Sequence, residues 1–199
     1  MADISKLPVI TISREYGAGG RSIAKELSKR LGIPWYDRDF VRLTAKDSGY
    51  SEDEIDKEGE EISDFSIFLK SMLNNIVDYT SSHDAIFSAQ KEEMIKLAQN
   101  PCIIVGRCGN CILHEAGIQS FDIFLYASMN VRMERAKSLI KEPCDDIRKY
   151  VEKKDALREK YYKEYTKREI SKAQDYSICL DTGVIDYDTC VDMIARLFE

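Results

Sequence analysis

Short apolar runs alternate with amphipathic segments in the first part of the chain. Residues 7–12 are rich in β-branched side chains, which predicts a buried strand. A glycine-rich turn follows, and then apolar residues recur at four-residue steps over about 21–31 before Gly32, which predicts a helix with a glycine cap. Residues 34–37 predict a second short strand. A strand, a turn, a helix and a strand in this order form a βαβ unit, and its two strands should be parallel.

The rest of the chain continues the alternation. Helical periodicity with almost no glycine over about 39–100 predicts an all-helical insertion, with helices over 62–77 and 84–99. Further strands are predicted at 102–105, 121–126 and 176–181, a charged helical stretch at 145–172, and a closing helix from Tyr187. Together these elements predict an α/β fold with five parallel strands and two helical excursions.

Composition places the chain among ordinary globular proteins. Its 199 residues, 44% hydrophobic and 32% charged, can bury the core of one domain. A formal net charge of −6 argues against broad non-specific binding to nucleic acid, and the apolar runs are too short to cross a bilayer. The N-terminus lacks the apolar core of a signal peptide, so we expect a cytoplasmic protein whose six cysteines are reduced thiols.

The segment 13–22 connects the first strand to the first helix, which is the context of a phosphate-binding loop. Glycines allow successive amides to point inward, and the helix start adds partial positive charge. The residues predicted to bind phosphate are Arg14, Gly17, Ala18, Gly19, Gly20, Arg21 and Ser22. The Ser22 hydroxyl falls where such loops contact Mg²⁺. The alternative is that the glycines only make a tight turn between strand and helix.

The loop departs from the phosphate-loop motif G-x-x-x-x-G-K-[ST] at two positions. Gly20 stands where the motif has its phosphate-binding lysine, and Arg14 stands at its first glycine. Losing one charge-assisted hydrogen bond would weaken phosphate binding by about 10- to 100-fold, unless Arg21 or Arg14 replaces the lysine.

Several segments carry a family resemblance, in chain order 10–13 with 16–22, 35–37, 106–107, 124–128 followed by Arg132 and Arg135, and 180–182. They resemble bacterial cytidylate kinases, and more closely a cytidylate kinase-like family that lacks the usual lysine. The resemblance implies a P-loop NTPase-like, three-layer α/β/α fold of the nucleoside-monophosphate kinase type. It divides a single domain, 1–199, into a core (1–38, 101–140 and 173–199), a helical acceptor-binding insertion (39–100) and a helical lid (141–172).

The implied reaction is transfer of the γ-phosphoryl group of ATP to a nucleoside monophosphate or another small acceptor, with Mg²⁺. The chain departs from the family at the third strand. Val105 stands where cytidylate kinases have an aspartate before Gly-Arg, and Cys108 stands where an acid follows. The alternative function is therefore a catalytically degenerate nucleotide-binding or regulatory module.

Phosphoryl transfer depends on positive charge around the transferring group, and arginines stand where they can supply it. Arg21, Arg132 and Arg158 are the candidates for a catalytic role. The candidates for binding the acceptor are Asp37, Arg38, Asp39, Arg42 and Arg107. The two aspartates could equally cap the next helix. The charged stretch that holds Arg158 fits either a closing lid or a solvated helix with Lys–Glu pairs.

Cys108 and Cys111 have the spacing of redox and zinc sites. A second such pair is missing, and the two histidines lack zinc-ligand spacing, so a phosphate-binding role of this segment is favoured. The apolar stripe of the 62–77 helix predicts a core contact or a homodimer face. The expected partners are small-molecule nucleotides, without nucleic acid or membrane.

Overall fold

Five parallel strands form one sheet in the order β2-β3-β1-β4-β5 within the part of the chain that is described. The computed structural model describes residues 9–37, 82–140 and 144–198. The strands are β1 (Val9–Arg14), β2 (Trp35–Tyr36), β3 (Cys102–Val105), β4 (Phe121–Tyr126) and β5 (Ile178–Asp181). The helices are α1 (Gly20–Leu31), α2 (Ser82–Leu97), α3 (Gly109–Glu115), α4 (Met129–Leu139), α5 (Ile147–Thr166) and α6 (Tyr187–Ala195). The predicted α/β class with a five-stranded parallel sheet is confirmed.

β1 lies at the centre of the sheet. Ile10 pairs with Ile103 of β3 on one side and with Phe121 of β4 on the other. Residues 9–13 are buried, as expected of a parallel strand that is covered on both faces. The connection from β1 leads to β2 on one side of it, whereas the connection from β3 leads to β4 on the other side. A crevice therefore forms at the carboxyl ends of β1 and β3, where open α/β sheets bind their ligands.

Helices cover both faces of the sheet. Neighbouring residues of β1 point to opposite sides, so the strand presents apolar side chains on both faces, and helices bury them. Ile12 belongs to a cluster with Leu27 of α1 and Ile194 of α6. Val9 belongs to a second cluster, with Met94 of α2. This arrangement is the predicted three-layer α/β/α architecture.

Several element boundaries differ from those that the sequence predicts, and three of them have a clear structural context. β1 continues to Arg14, which brings that residue to the carboxyl edge of the sheet. α5 ends at Thr166 instead of near 172, because Lys167 adopts a left-handed conformation with φ 58°. β5 begins at Ile178 instead of 176, because residues 173–175 form a 3₁₀ turn.

Part of the predicted architecture lies outside the described residues. This part includes the predicted 62–77 helix with its core or homodimer contact, and the acceptor candidates Arg38, Asp39 and Arg42. The division into core, insertion and lid stays a prediction. In the three described stretches, no helix combines the length and the apolar character needed to span a bilayer.

Candidate functional site

The loop between β1 and α1 contains two glycines that cannot be replaced without strain. Gly17 and Gly19 have φ values of +81° and +84°, which L side chains rarely adopt. A Cβ atom on Gly17 would lie 2.7 Å from the carbonyl oxygen of Arg132, and one on Gly19 would lie 2.3 Å from the ring of Tyr187. The glycines are therefore required both by the backbone turn and by the close approach of neighbouring groups.

The start of α1 is suited to an anion. Gly19 is the N-cap and has no capping side chain, and the first turn contains no acidic residue. The amides of the first turn, from Gly20 to Ser22, have no acceptor inside the helix, and the helix dipole adds partial positive charge. Ser22 is exposed beside these amides. The predicted phosphate-binding loop thus has the helix start that such a loop requires.

A pocket opens at the carboxyl ends of β1 and β3 and is bounded on its other side by α5. Among the described residues its charged lining consists of four cations, Arg14, Arg107, Lys154 and Arg158, and one carboxylate, Asp37. Such an excess of positive charge favours an anionic ligand, and charge at a cleft also attracts it from solution. The pocket brings together four of the predicted site residues: Arg14, Asp37, Arg107 and Arg158.

An unusual turn carries Arg107 into the pocket. Gly106, Arg107 and Cys108 follow one another with φ values of 82°, 56° and 58°. Left-handed conformations are costly for residues with a Cβ atom, so two of them in succession store strain, which is common at functional sites. The Arg107 guanidinium lies 5.7 Å from the centre of the Tyr161 ring on α5.

α5 is fixed against the rest of the site at two points. The hydroxyl of buried Tyr162 lies 3.0 Å from both Asn110 Nδ2 and Cys111 Sγ of α3. About two turns earlier, the carboxylate of Asp155 accepts a hydrogen bond of 2.6 Å from the Tyr16 amide and pairs with Arg132. These contacts hold the middle of α5 over the pocket that Arg158 and Lys154 line.

Arg132 is buried below the loop and does not line the pocket. Its guanidinium pairs with Asp155 and lies 3.2 Å from Glu15. It also donates hydrogen bonds of 3.0 and 3.3 Å to the carbonyl oxygens of Ala127 and Tyr16. These contacts indicate that Arg132 positions the loop, and a direct catalytic role for it stays a prediction.

Arg135, on the same helix, supports the loop from a second side. It donates hydrogen bonds of 2.9 and 2.7 Å to the hydroxyl and the carbonyl oxygen of Thr182, whose hydroxyl also lies 3.0 Å from the Ala18 carbonyl oxygen. Its guanidinium lies 4.6 Å from the centre of the Tyr187 ring, which covers Gly19. The sequence points to these two arginines but not to their contacts with the loop.

Arg21 and Asp37 form an ion pair at the edge of the pocket. The Arg21 side chain is 53% exposed, whereas that of Asp37 is 12% exposed and also lies 3.7 Å from Arg14. Asp37 therefore orients two arginines, a role that the sequence does not reveal. Residues 38–81 are outside the described part, so capping of a following helix by Asp37 stays untested.

The thiols of the C-x-x-C segment lie in surroundings that disfavour thiolates. Burial raises the pKa of Cys108 and of Cys111, and both are free cysteines. Reactive cysteines have lowered pKa values, so redox chemistry is not favoured here. Within the described stretches, no three His, Cys, Asp or Glu side chains gather in a way that could hold a metal ion.

Glu15 gives a prediction on pH. Burial raises the pKa of Glu15 above its ordinary value of 4.5, and the Ala127 amide and Arg132 lower it only in part. An acid with a raised pKa in the folded state stabilises the fold at low pH, and this contribution is lost as the pH rises from 4.5 through the raised pKa.

We therefore expect Glu15→Gln to become more stable relative to the parent protein as the pH rises from acid toward neutral. Denaturant unfolding of both proteins across this range measures the difference. Exposed Glu134→Gln is the control and should show no such trend. The opposite slope would mean that Arg132, not burial, dominates the environment of Glu15.

Two site residues escape analysis of the sequence alone. Lys154 and Asp155 belong to a stretch of alternating charge that resembles any solvated helix. The one sequence signal in this stretch is the three-residue spacing from Asp155 to Arg158, which places these two residues on one helix face.

The sheet order and the glycine loop ahead of α1 define a three-layer α/β protein with a P-loop-like turn between its first strand and first helix. Residues 9–184 match the cytidylate kinase-like family, and the chain belongs to that family. A cytidylate kinase of Thermoplasma acidophilum is 25% identical over 174 residues, which are 87% of this chain and 82% of the relative. The predicted family is confirmed.

Solved structures support the same fold. An uncharacterized protein from Eubacterium ventriosum is similar with a TM-score of 0.70 and 23% identity, over 96% of this chain and 97% of its own. A shikimate kinase from Bacteroides thetaiotaomicron is similar with a TM-score of 0.54 and 13% identity, over 95% and 96% of the two chains. At these identities the likeness shows the fold alone.

Proposed function

We propose that the protein is an ATP-dependent phosphotransferase that moves the γ-phosphoryl group to a nucleoside monophosphate or another small acceptor. The observation that carries this proposal is the meeting of two anion-binding features at one edge of the sheet. They are the uncapped start of α1 and the pocket with four cationic side chains. Because curated relatives are named cytidylate kinases, CMP is the first acceptor to test.

Phosphoryl transfer suits this site because it requires positioning and charge stabilisation more than a side-chain acid or base. In the proposed reaction the start of α1 and Arg14 hold the donor phosphates, and Arg107 faces the acceptor. Arg158 and Lys154 of α5 stabilise the charge that develops on the transferring group. Arg21, through its pair with Asp37, borders the acceptor side.

Mg²⁺ in kinases is held mainly by substrate phosphates and water, with one or two protein oxygens. The exposed Ser22 hydroxyl in the first turn of α1 offers such an oxygen, so the residues present fit this ion. When bound, Mg²⁺ neutralises phosphate charge in the donor nucleotide. The chain's own contribution is to align the donor phosphates along the α1 amides.

A catalytically inactive nucleotide-binding module is the second candidate, and one contact favours it. The Tyr16 amide in the loop already donates a hydrogen bond to the Asp155 carboxylate. The protein's own anion thus occupies part of the loop, which also lacks the usual lysine. In such a module nucleotide binding survives without turnover.

The two candidates differ in turnover. We expect ADP to accumulate when Mg²⁺, ATP and an acceptor are supplied together, with CMP tested first, then other nucleoside monophosphates and nucleosides. A coupled assay for ADP measures the rate, and ATP without acceptor is the control. ATP binding without ADP formation across all these acceptors would favour the module, and absence of ATP binding would contradict both candidates.

A further inference from the structure

The side chain of Arg14 crosses the position where the phosphate-loop motif has its lysine. Ile10, Ile12 and Arg14 alternate along β1, so Arg14 points to the α1 side of the sheet. Its aliphatic stem lies against Gly20, the first residue of α1: a Cβ atom added there would lie 3.0 Å from Arg14 Cγ and 3.3 Å from Cδ. The stem therefore occupies the space into which a side chain at position 20 would grow.

The backbone conformation of Gly20 does not require glycine, unlike that of Gly17 and Gly19. Gly17 and Gly19 have positive φ values, but Gly20 does not, so its backbone would accept any L residue. The nearest atoms to an added Cβ all belong to Arg14. Close packing of the Arg14 stem is therefore the feature of the described structure that disfavours a side chain at this position.

The guanidinium of Arg14 ends inside the cationic pocket. A Cβ on Gly106 would lie 2.1 Å from Arg14 Nη1, so the guanidinium lies directly against the backbone at the end of β3. The second terminal nitrogen of Arg14, Nη2, lies 3.7 Å from Asp37 Oδ1, and the Arg14 side chain is 14% exposed. The rival candidate, Arg21, is 53% exposed and does not line the pocket.

We propose that Arg14 supplies the phosphate-binding cation of this loop, and that arginine at 14 and glycine at 20 are one coupled replacement of the motif's glycine and lysine. This inference rests on the proposed function and specifies its donor site. An arginine reaches phosphate with two parallel donors and stays charged at every relevant pH, so it can take the place of the lysine. A side chain at 20 competes with the Arg14 stem for space, since its Cβ would lie closer to the stem than an ordinary van der Waals contact.

Titration calorimetry with Mg²⁺-ATP, Mg²⁺-ADP and adenosine tests this proposal on the full chain. We expect Arg14→Ala to weaken ATP and ADP binding by about 10- to 100-fold and to leave adenosine binding unchanged. Gly20→Lys alone should lower ATP affinity because Arg14 occupies the space. The double variant Arg14→Gly with Gly20→Lys should recover most of the ATP affinity. Arg196→Ala, an exposed arginine beyond α6, is the matched control.

A gentler pair of substitutions covers the case in which Gly20→Lys fails to fold. Gly20→Ala presses on the Arg14 stem, so it should lower ATP affinity when Arg14 is present and have no effect in an Arg14→Ala background. Equal losses for ATP and adenosine in Arg14→Ala would overturn the proposal, since the effect would then be structural. An unchanged ATP affinity in Arg14→Ala would overturn it too and leave the proposed function standing. Absence of ATP binding by the parent protein would overturn both.

Discussion

Gly19→Ala is expected to weaken ATP binding about 100-fold or more and to destabilise the protein. The left-handed backbone at Gly19 costs an L residue about 1–2 kcal/mol, and overlap of the new Cβ with the Tyr187 ring adds about 1–3 kcal/mol. We therefore expect the free energy of unfolding to fall by about 2–5 kcal/mol. A shift of the loop away from the ring moves the start of α1. Losing two hydrogen bonds to phosphate accounts for an affinity loss of this size.

Gly32 provides the matched control for this prediction. It also has a positive φ, +66°, but an added Cβ would meet nothing within 4 Å. Gly32→Ala should therefore cost only the strain of about 1–2 kcal/mol and leave ATP binding unchanged. Denaturant unfolding and calorimetry with Mg²⁺-ATP measure both effects. Similar results for the two variants would contradict the assignment of the loop as a phosphate-binding site.

The sheet could be predicted from the sequence because its signals are local. The run that becomes β3 is continuous and apolar, the run that becomes β4 is apolar except for Asp122, and the predicted bounds of both strands agree with the structure. The glycine turn before α1 is likewise a local signal, since positive φ values restrict the choice of residue. Where a boundary depends on one residue's conformation, as with Lys167 at the end of α5, the sequence offers no warning.

The functional site was harder to predict because its contacts join residues far apart in the chain. The sequence names both Arg14 and Gly20 as departures from the motif, but only the structure shows that the Arg14 stem packs against Gly20. Asp155 is similar: its partner Arg132 and the Tyr16 amide lie on other elements. Charge patterns on a helix do not reveal which charges face the core.

Arg132→Met is expected to lower the free energy of unfolding by about 3–5 kcal/mol, because removing one partner of a buried ion pair leaves the other charge uncompensated. Arg132 is 6% exposed, and its loss would leave Asp155 and Glu15 facing each other beneath the loop. Arg30→Met is the control: Arg30 forms an exposed pair with Asp192, so its loss should cost about 1 kcal/mol or less. Denaturant unfolding at neutral pH measures both variants.

A triple variant separates the structural and catalytic roles of Arg132. Neutralising its partners by adding Glu15→Gln and Asp155→Asn to Arg132→Met should restore most of the lost stability, because the cost comes from uncompensated charge and not from the volume of the side chain. If ADP formation returns with stability, Arg132 acts by compensating the charges of Asp155 and Glu15 and not by contact with the transferring group. A turnover that stays lower by about 10³-fold or more in the stable triple variant, while Mg²⁺-ATP still binds, would instead mean that Arg132 reaches the transferring phosphoryl group.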